Sequence, residues 1–146
     1  MCPVPPAADA SRLGVEGGCL CAAVRYRAVG NASSPTLCNC RSCRKAAGSP
    51  LVAWVTFPVA GFDFVAGKPN SYRSSPDVVR TFCGACGTPL TWAHAKLPDL
   101  IDVTTCSLDD PEVHPPADQT WTSHRLGWMH RIDELPAFPR SRAAGS

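Results

Sequence analysis

Seven of the nine cysteines in this chain fall into three tight clusters: Cys19-Leu20-Cys21, Cys38-Asn39-Cys40-Arg41-Ser42-Cys43 and Cys83-Gly84-Ala85-Cys86-Gly87. Thiolates at such short spacings are metal ligands, for zinc above all. The number matters because seven divides into four plus three. Four thiolates close a zinc tetrahedron, whereas three leave one position open for chemistry.

The set of four pairs the first cluster with the last. Cys19 and Cys21 fall within an alternating run, Cys19–Val29, that predicts a strand. Residues two apart on a strand share a face, so both sulfurs point the same way. Cys83 and Cys86 have the spacing of a zinc knuckle, with Gly84 and Gly87 free to take the backbone angles of a tight turn. A zinc held by Cys19, Cys21, Cys83 and Cys86 has no free position and is structural. It would supply on the order of 10 kcal/mol of folding free energy. Two other readings stay open at this point. Cys19 and Cys21 are small residues of a type often buried without metal. Cys83 and Cys86 could form a redox pair, although that needs a βαβ setting the sequence does not display. Four thiolates also suit iron.

Cys38, Cys40 and Cys43 can converge on a second ion from one bend. The fourth position is then open to water, a substrate or a distant side chain, and a thiol bound there ionises. Arg41, Arg44 and Lys45 lie beside the cluster and could offset its negative charge. His94, His114, His124, His130 and Cys106 are the candidates that would close the site instead. Three redox-active thiols without metal are a further alternative. Cys106, at the end of a strand-like run, reads as buried structure.

These clusters need a scaffold, and the chain reads as β-rich. Leu51–Phe57, Phe62–Val65, Ser71–Arg73, Val78–Phe82, Pro89–Trp92 and Leu100–Thr105 are strand candidates. Most of the 15 prolines and 11 glycines sit between them. Only Cys43–Ala47 suggests a helix. At 146 residues one domain is expected, over 15–139, with flexible tails at 1–14 and 140–146. A net charge of +2 with scattered basic residues argues against nucleic acid. No run of about 18 apolar residues suggests a membrane span. The first residues lack the n- and h-regions of a secretory signal. An odd cysteine count does not suit a disulfide framework. The expected location is the cytoplasm.

The clusters and their flanks resemble the glutathione-dependent formaldehyde-activating enzyme family, also called the Gfa/centromere-protein-V domain family. The similarity lies in Gly17-Gly18-Cys19-Leu20-Cys21, Cys38-Asn39-Cys40-Arg41-Ser42-Cys43-Arg44-Lys45, Phe82-Cys83-Gly84-Ala85-Cys86-Gly87-Thr88-Pro89 and Asp102-Val103. It continues through Ser107-Leu108-Asp109, Trp121-Thr122-Ser123 and Trp128 to Leu135-Pro136-Ala137-Phe138. The resemblance implies a mainly β, β-tent (Mss-four-like) fold of small antiparallel sheets stapled by zinc. It implies two zinc ions per chain, structural at Cys19, Cys21, Cys83 and Cys86, catalytic at Cys38, Cys40 and Cys43. The implied activity is that of a carbon–sulfur lyase joining glutathione, a small-molecule thiol, to formaldehyde, with zinc stabilising the thiolate. Arg41, Arg44 and Lys45 would meet the carboxylates of glutathione. Ala22 stands where the family usually has glycine, and Cys106, Gln119, Gly127 and Glu134 also depart from its pattern. The competing function is a non-catalytic, zinc-stabilised binding module. Trp54, Trp92, Trp121 and Trp128 are expected mostly in the core, with Trp121 and Trp128 also candidates for a pocket wall.

Overall fold

The computed structural model describes residues 14–142. The expected tail over 1–14 thus lies almost wholly outside the described residues, as does the end of the tail over 140–146. The elements are β1 (Val15–Gly18), β2 (Arg25–Ala28), β3 (Ser33–Cys38), α1 (Arg41–Ala47), β4 (Val52–Pro58) and β5 (Phe62–Ala66). They continue with β6 (Asn70–Ser75), β7 (Val78–Phe82), β8 (Pro89–His94), β9 (Leu100–Thr104) and β10 (Asp118–Thr120). A three-stranded sheet has the order β1-β2-β5, and a seven-stranded sheet the order β10-β3-β4-β9-β8-β7-β6. Every pairing is antiparallel except β10 with β3. The chain is mainly β.

The main core lies where the two sheets meet. Tyr26 and Ala28 from the small sheet, with Val24 just before β2, pack with Val55, Phe57, Leu90 and Val103 from the large one. Burying each larger apolar side chain contributes about 1.5–3 kcal/mol. Tyr26 stacks on Phe62 at 5.5 Å and meets Phe64 edge-on at 6.5 Å. Its hydroxyl, wholly enclosed, is hydrogen-bonded to Ser107 Oγ at 2.7 Å. Gly17 is required here, because a Cβ at that position would collide with the Tyr26 hydroxyl.

Strand register decides what faces away from this core. Val55 pairs with Val103 and Phe57 with Ile101 on the core side. Trp54 and Thr56 alternate with them and face the other way. Cross-strand pairing then carries one row over four strands: Thr56 opposite Asp102, Asp102 opposite Trp92, Trp92 opposite Arg80. That row is the surface on which the candidate site is built.

Three expectations about local structure are corrected. Alternation over Cys19–Val29 holds only from Val24 onward. Cys19–Ala23 forms the turn between β1 and β2, and Leu20 is 89% exposed. The turn closes through Ala22 N–H to Cys19 C=O at 2.9 Å and Cys19 N–H to Val24 C=O at 3.0 Å. Ala22 takes a left-handed conformation, φ 61°, within it. Cys106 is exposed in the short turn Thr105–Ser107 rather than buried, because β9 ends at Thr104. The helix begins two residues earlier than expected, at Arg41, because Cys40 caps it.

Candidate metal centres

The turn that displaces Cys19 and Cys21 from a strand is also what brings their sulfurs together. Cys19 Sγ and Cys21 Sγ are 3.5 Å apart, and Cys21 Sγ lies 3.7 Å from Cys83 Sγ. Those two and Cys83 and Cys86 offer four sulfurs within 4.8 Å of one another. Four sulfurs at the usual Zn–S length of ~2.3 Å in a tetrahedron stand about 3.8 Å apart, so the donor set fits zinc. Cys19 and Cys21 lie in the β1–β2 turn of the small sheet, Cys83 and Cys86 in the β7–β8 turn of the large one. The centre therefore links the two sheets.

Thr88 organises this centre. Its Oγ1 accepts the N–H of Leu20 at 3.1 Å and hydrogen-bonds Cys86 Sγ at 3.2 Å, joining both turns through one hydroxyl. In the metal-free protein the Thr88 side chain and backbone hold the Cys86 thiol down at about 5. The Cys21 thiol is pushed up to about 11: its backbone bond from Ala23 pulls down, but the neighbouring thiols Cys19 and Cys86 outweigh it. Burial raises Cys19, yet the Val24 N–H at 3.2 Å and the thiols of Cys21 and Cys83 bring it below the ordinary value.

Cys38, Cys40 and Cys43 also bring their sulfurs within 4.8 Å. Cys38 ends β3. Cys40 caps α1, its sulfur accepting the N–H of Cys43 at 3.3 Å in the role that Ser or Asp oxygen usually fills. Cys43 lies one helical turn on and is buried. The Cys43 hydrogen bond pulls Cys38 down to about 7. Its counterpart, with burial, pushes Cys43 well up, and Arg80 opposes this only in part. Arg80 Nη2 lies 3.7 Å from Cys43 Sγ.

The three thiols open onto a cavity of about 560 Å³, lined also by Trp54, Thr56, Arg80, Trp92, Asp102 and Trp121. Asn39, buried between Cys38 and Cys40, anchors one rim. Its backbone N–H and its Nδ2 both donate to Thr120 C=O at 3.1 Å. The chain then turns at Trp121, in a left-handed conformation of φ 55°, and stacks its indole on His124 with centroids 5.6 Å apart.

None of the five candidate closing ligands joins the three thiols. His124 lines the cavity without joining the sulfur cluster. His114 packs edge-on against Phe57, His94 lies beside Trp92, and His130 and Cys106 are exposed. Arg41 lines the cavity itself. Arg44 and Lys45 instead face a neighbouring hollow of about 500 Å³ that Arg41 and Trp128 also line. All four tryptophans border a cavity or hollow, and Trp54 is buried as well.

Sequence reasoning missed Arg80, Asp102 and Thr56. A signal was available. Arg80 interrupts Val78-Val79-Arg80-Thr81-Phe82, and Asp102 interrupts Leu100-Ile101-Asp102-Val103. A charge inside an apolar strand needs a partner or a cavity.

Residues 14–124 match the family described as glutathione-dependent formaldehyde-activating enzyme. The chain belongs to this family. A Schizosaccharomyces pombe (strain 972 / ATCC 24843) protein named as an uncharacterized lyase is 30% identical over 122 residues, covering 72% of this chain and 87% of its own. The crystal structure of a Rhodobacter sphaeroides protein has a similar fold at 19% identity, with a TM-score of 0.59 over 72% of this chain and 99% of that one. This Gfa-family chain has a two-sheet β scaffold, and the sulfurs of each of its two cysteine sets lie close enough together to hold a metal ion. Among its described residues no helix is long and apolar enough to cross a membrane.

Proposed function

We propose that the protein is a zinc-dependent, carbon–sulfur lyase-type enzyme acting on glutathione or a glutathione adduct at Cys38, Cys40 and Cys43. The observation that carries this reading is the count of ligands. Among the described residues the second centre has three sulfurs, no fourth protein donor, and a cavity in front of it. A zinc there would lower the pKa of a thiol at its open position and so supply a nucleophile near neutral pH.

The chain's own residues do the rest. Three thiolates on a dication leave one net negative charge, which the guanidinium groups of Arg80 and Arg41 offset from the cavity wall. Arg41 inside the cavity and Arg44 and Lys45 in the adjoining hollow supply cations for the carboxylates of a peptide thiol. Trp54, Trp92 and Trp121 give apolar walls that exclude water around the reacting sulfur. The four-cysteine centre, closed and lying between the sheets, acts as a structural staple. None of the eight described cysteines is in a disulfide, which supports the cytoplasm or another reducing compartment as the place of action.

The test has two parts. Elemental analysis should find two zincs per chain in protein purified without added metal. Formation of S-hydroxymethylglutathione from glutathione and formaldehyde should then run above the uncatalysed rate, and Cys38→Ser should return it to background. Two zincs with no glutathione binding and no rate above background would replace the enzyme with a zinc-stabilised binding module.

A further inference from the structure

Asp102 stands out among the groups that the proposed function leaves without a role. It lies at the centre of the seven-stranded sheet, on β9, half-buried, and lines the three-cysteine cavity. The one hydrogen bond to its carboxyl among the described residues is donated by Thr56 Oγ1 to Oδ1 at 2.6 Å. It takes part in no ion pair there. An acid placed on a sheet face without a counter-ion costs stability, and the single hydrogen bond from Thr56 offsets only part of that cost. The other charged or titratable groups facing the cavity are Arg80 from β7, Arg41 from α1, His124 from the rim, and the three thiols.

We propose that Asp102 is the proton-transfer residue of the three-cysteine cavity. The inference rests on the reading of that cavity as a site for a thiol substrate. In the addition direction the S–H bond of the thiol breaks and Asp102 takes the proton. The sulfur then forms the C–S bond with the carbonyl carbon, and the C=O π pair moves to oxygen. Asp102 returns its proton to that oxygen, giving the hydroxymethyl thioether. The reverse sequence cleaves it. No electrons enter or leave, and the proton that departs sulfur is the one that arrives on oxygen. Burial pushes the Asp102 carboxyl above the usual carboxylate range, with the Thr56 hydrogen bond opposing, and this brings it closer to a proton carrier's working range.

The test compares zinc-loaded wild type with Asp102→Asn, in which Oδ1 still accepts from Thr56. Unchanged zinc content and a melting temperature no lower than that of wild type establish that the variant folds. A general acid–base contributes about 10²–10⁴-fold, so the limiting rate should fall by that factor with glutathione affinity kept and the acidic limb of the pH profile gone. A second readout does not depend on turnover. Glutathione binding is followed calorimetrically near neutral pH in two buffers of different ionisation enthalpy. Wild type should keep the thiol proton, and Asp102→Asn should release about one more proton to buffer. Should Asp102→Asn not fold, Thr56→Val carries the test: loss of its hydrogen bond should move the acidic limb to higher pH.

Wild type that binds glutathione while the variants keep its rate, pH profile and proton count would overturn the proposal alone. A change confined to KM would make Asp102 a binding residue and overturn it too. Wild type that binds no glutathione would overturn the underlying reading, and the proposal with it.

Discussion

Arg80 and Cys43 stand 37 residues apart in sequence, yet the Arg80 guanidinium lies 3.7 Å from the Cys43 sulfur. The contact crosses from β7 to α1 and is the clearest sign that the three-cysteine set is charge-balanced by the fold. A second hydrogen bond, from Arg80 Nε to Ser74 Oγ at 3.2 Å, fixes the guanidinium's direction. Arg80→Met should therefore weaken zinc binding at Cys38, Cys40 and Cys43 by about 10–100-fold, the usual effect of losing a group that supports a metal ligand. Competition against a chromophoric chelator would measure it, and the four-cysteine centre should keep its affinity.

The two cysteine sets should separate cleanly under mutation. Cys83→Ser breaks the link between the sheets, and structural zinc contributes on the order of 10 kcal/mol. A domain's whole stability is about 5–15 kcal/mol, so this variant should lose its cooperative thermal transition. Cys38→Ser removes a ligand from the cavity instead. It should keep the transition and lose one zinc, read by elemental analysis beside circular dichroism.

Ala22 offers a test of local strain. Its φ of 61° costs a residue with a Cβ about 1–2 kcal/mol. Glycine relieves this but enlarges the unfolded ensemble by about 0.4–1 kcal/mol. Ala22→Gly should gain the difference, ~0.5–1 kcal/mol, and raise the melting temperature by roughly 1–4 °C. Calorimetry on the zinc-loaded protein would show it.

Metal-free protein should show a steep order of thiol reactivity. Cys86, near 5, is a thiolate at neutral pH, Cys38 titrates near 7, and Cys21 stays protonated until about 11. Brief alkylation around neutral pH, mapped by mass spectrometry, should label Cys86 before Cys21, although Cys21 is the more exposed. Folded Cys86 is depressed from the ordinary thiol value of 9.0, so its contribution is complete above that value and is lost as pH falls through about 5. The metal-free fold should weaken over that window on acidification.

Much of the site is legible in residue types and spacing. The grouping of Cys19, Cys21, Cys83 and Cys86, the separate set of Cys38, Cys40 and Cys43, and the β-rich scaffold all follow from spacing and patterning. The strand expected over Cys19–Val29 fails at its start because alternation among small residues does not register a turn. The Cys19–Ala23 turn is closed by two backbone hydrogen bonds and a left-handed alanine, and none of these has a strong signature in residue type. The expected burial of Cys106 fails because nothing local shows that β9 ends at Thr104.

By itself the sequence determined which cysteines group into candidate ligand sets, because the spacings of two or three residues within each cluster keep those sulfurs close in almost any backbone. It also determined the β character, through short β-branched and aromatic runs such as Leu51–Phe57 set between prolines and glycines. Only the tertiary structure decided which residues share a cavity with the three thiols. Thr56, Asp102, Trp92 and Arg80 come from four strands, and they meet because the registers of β4, β9, β8 and β7 align them in one row. Register is set by the packing of the opposite face against the small sheet. A shift of a single residue would turn Asp102 into the core and Val103 toward the thiols.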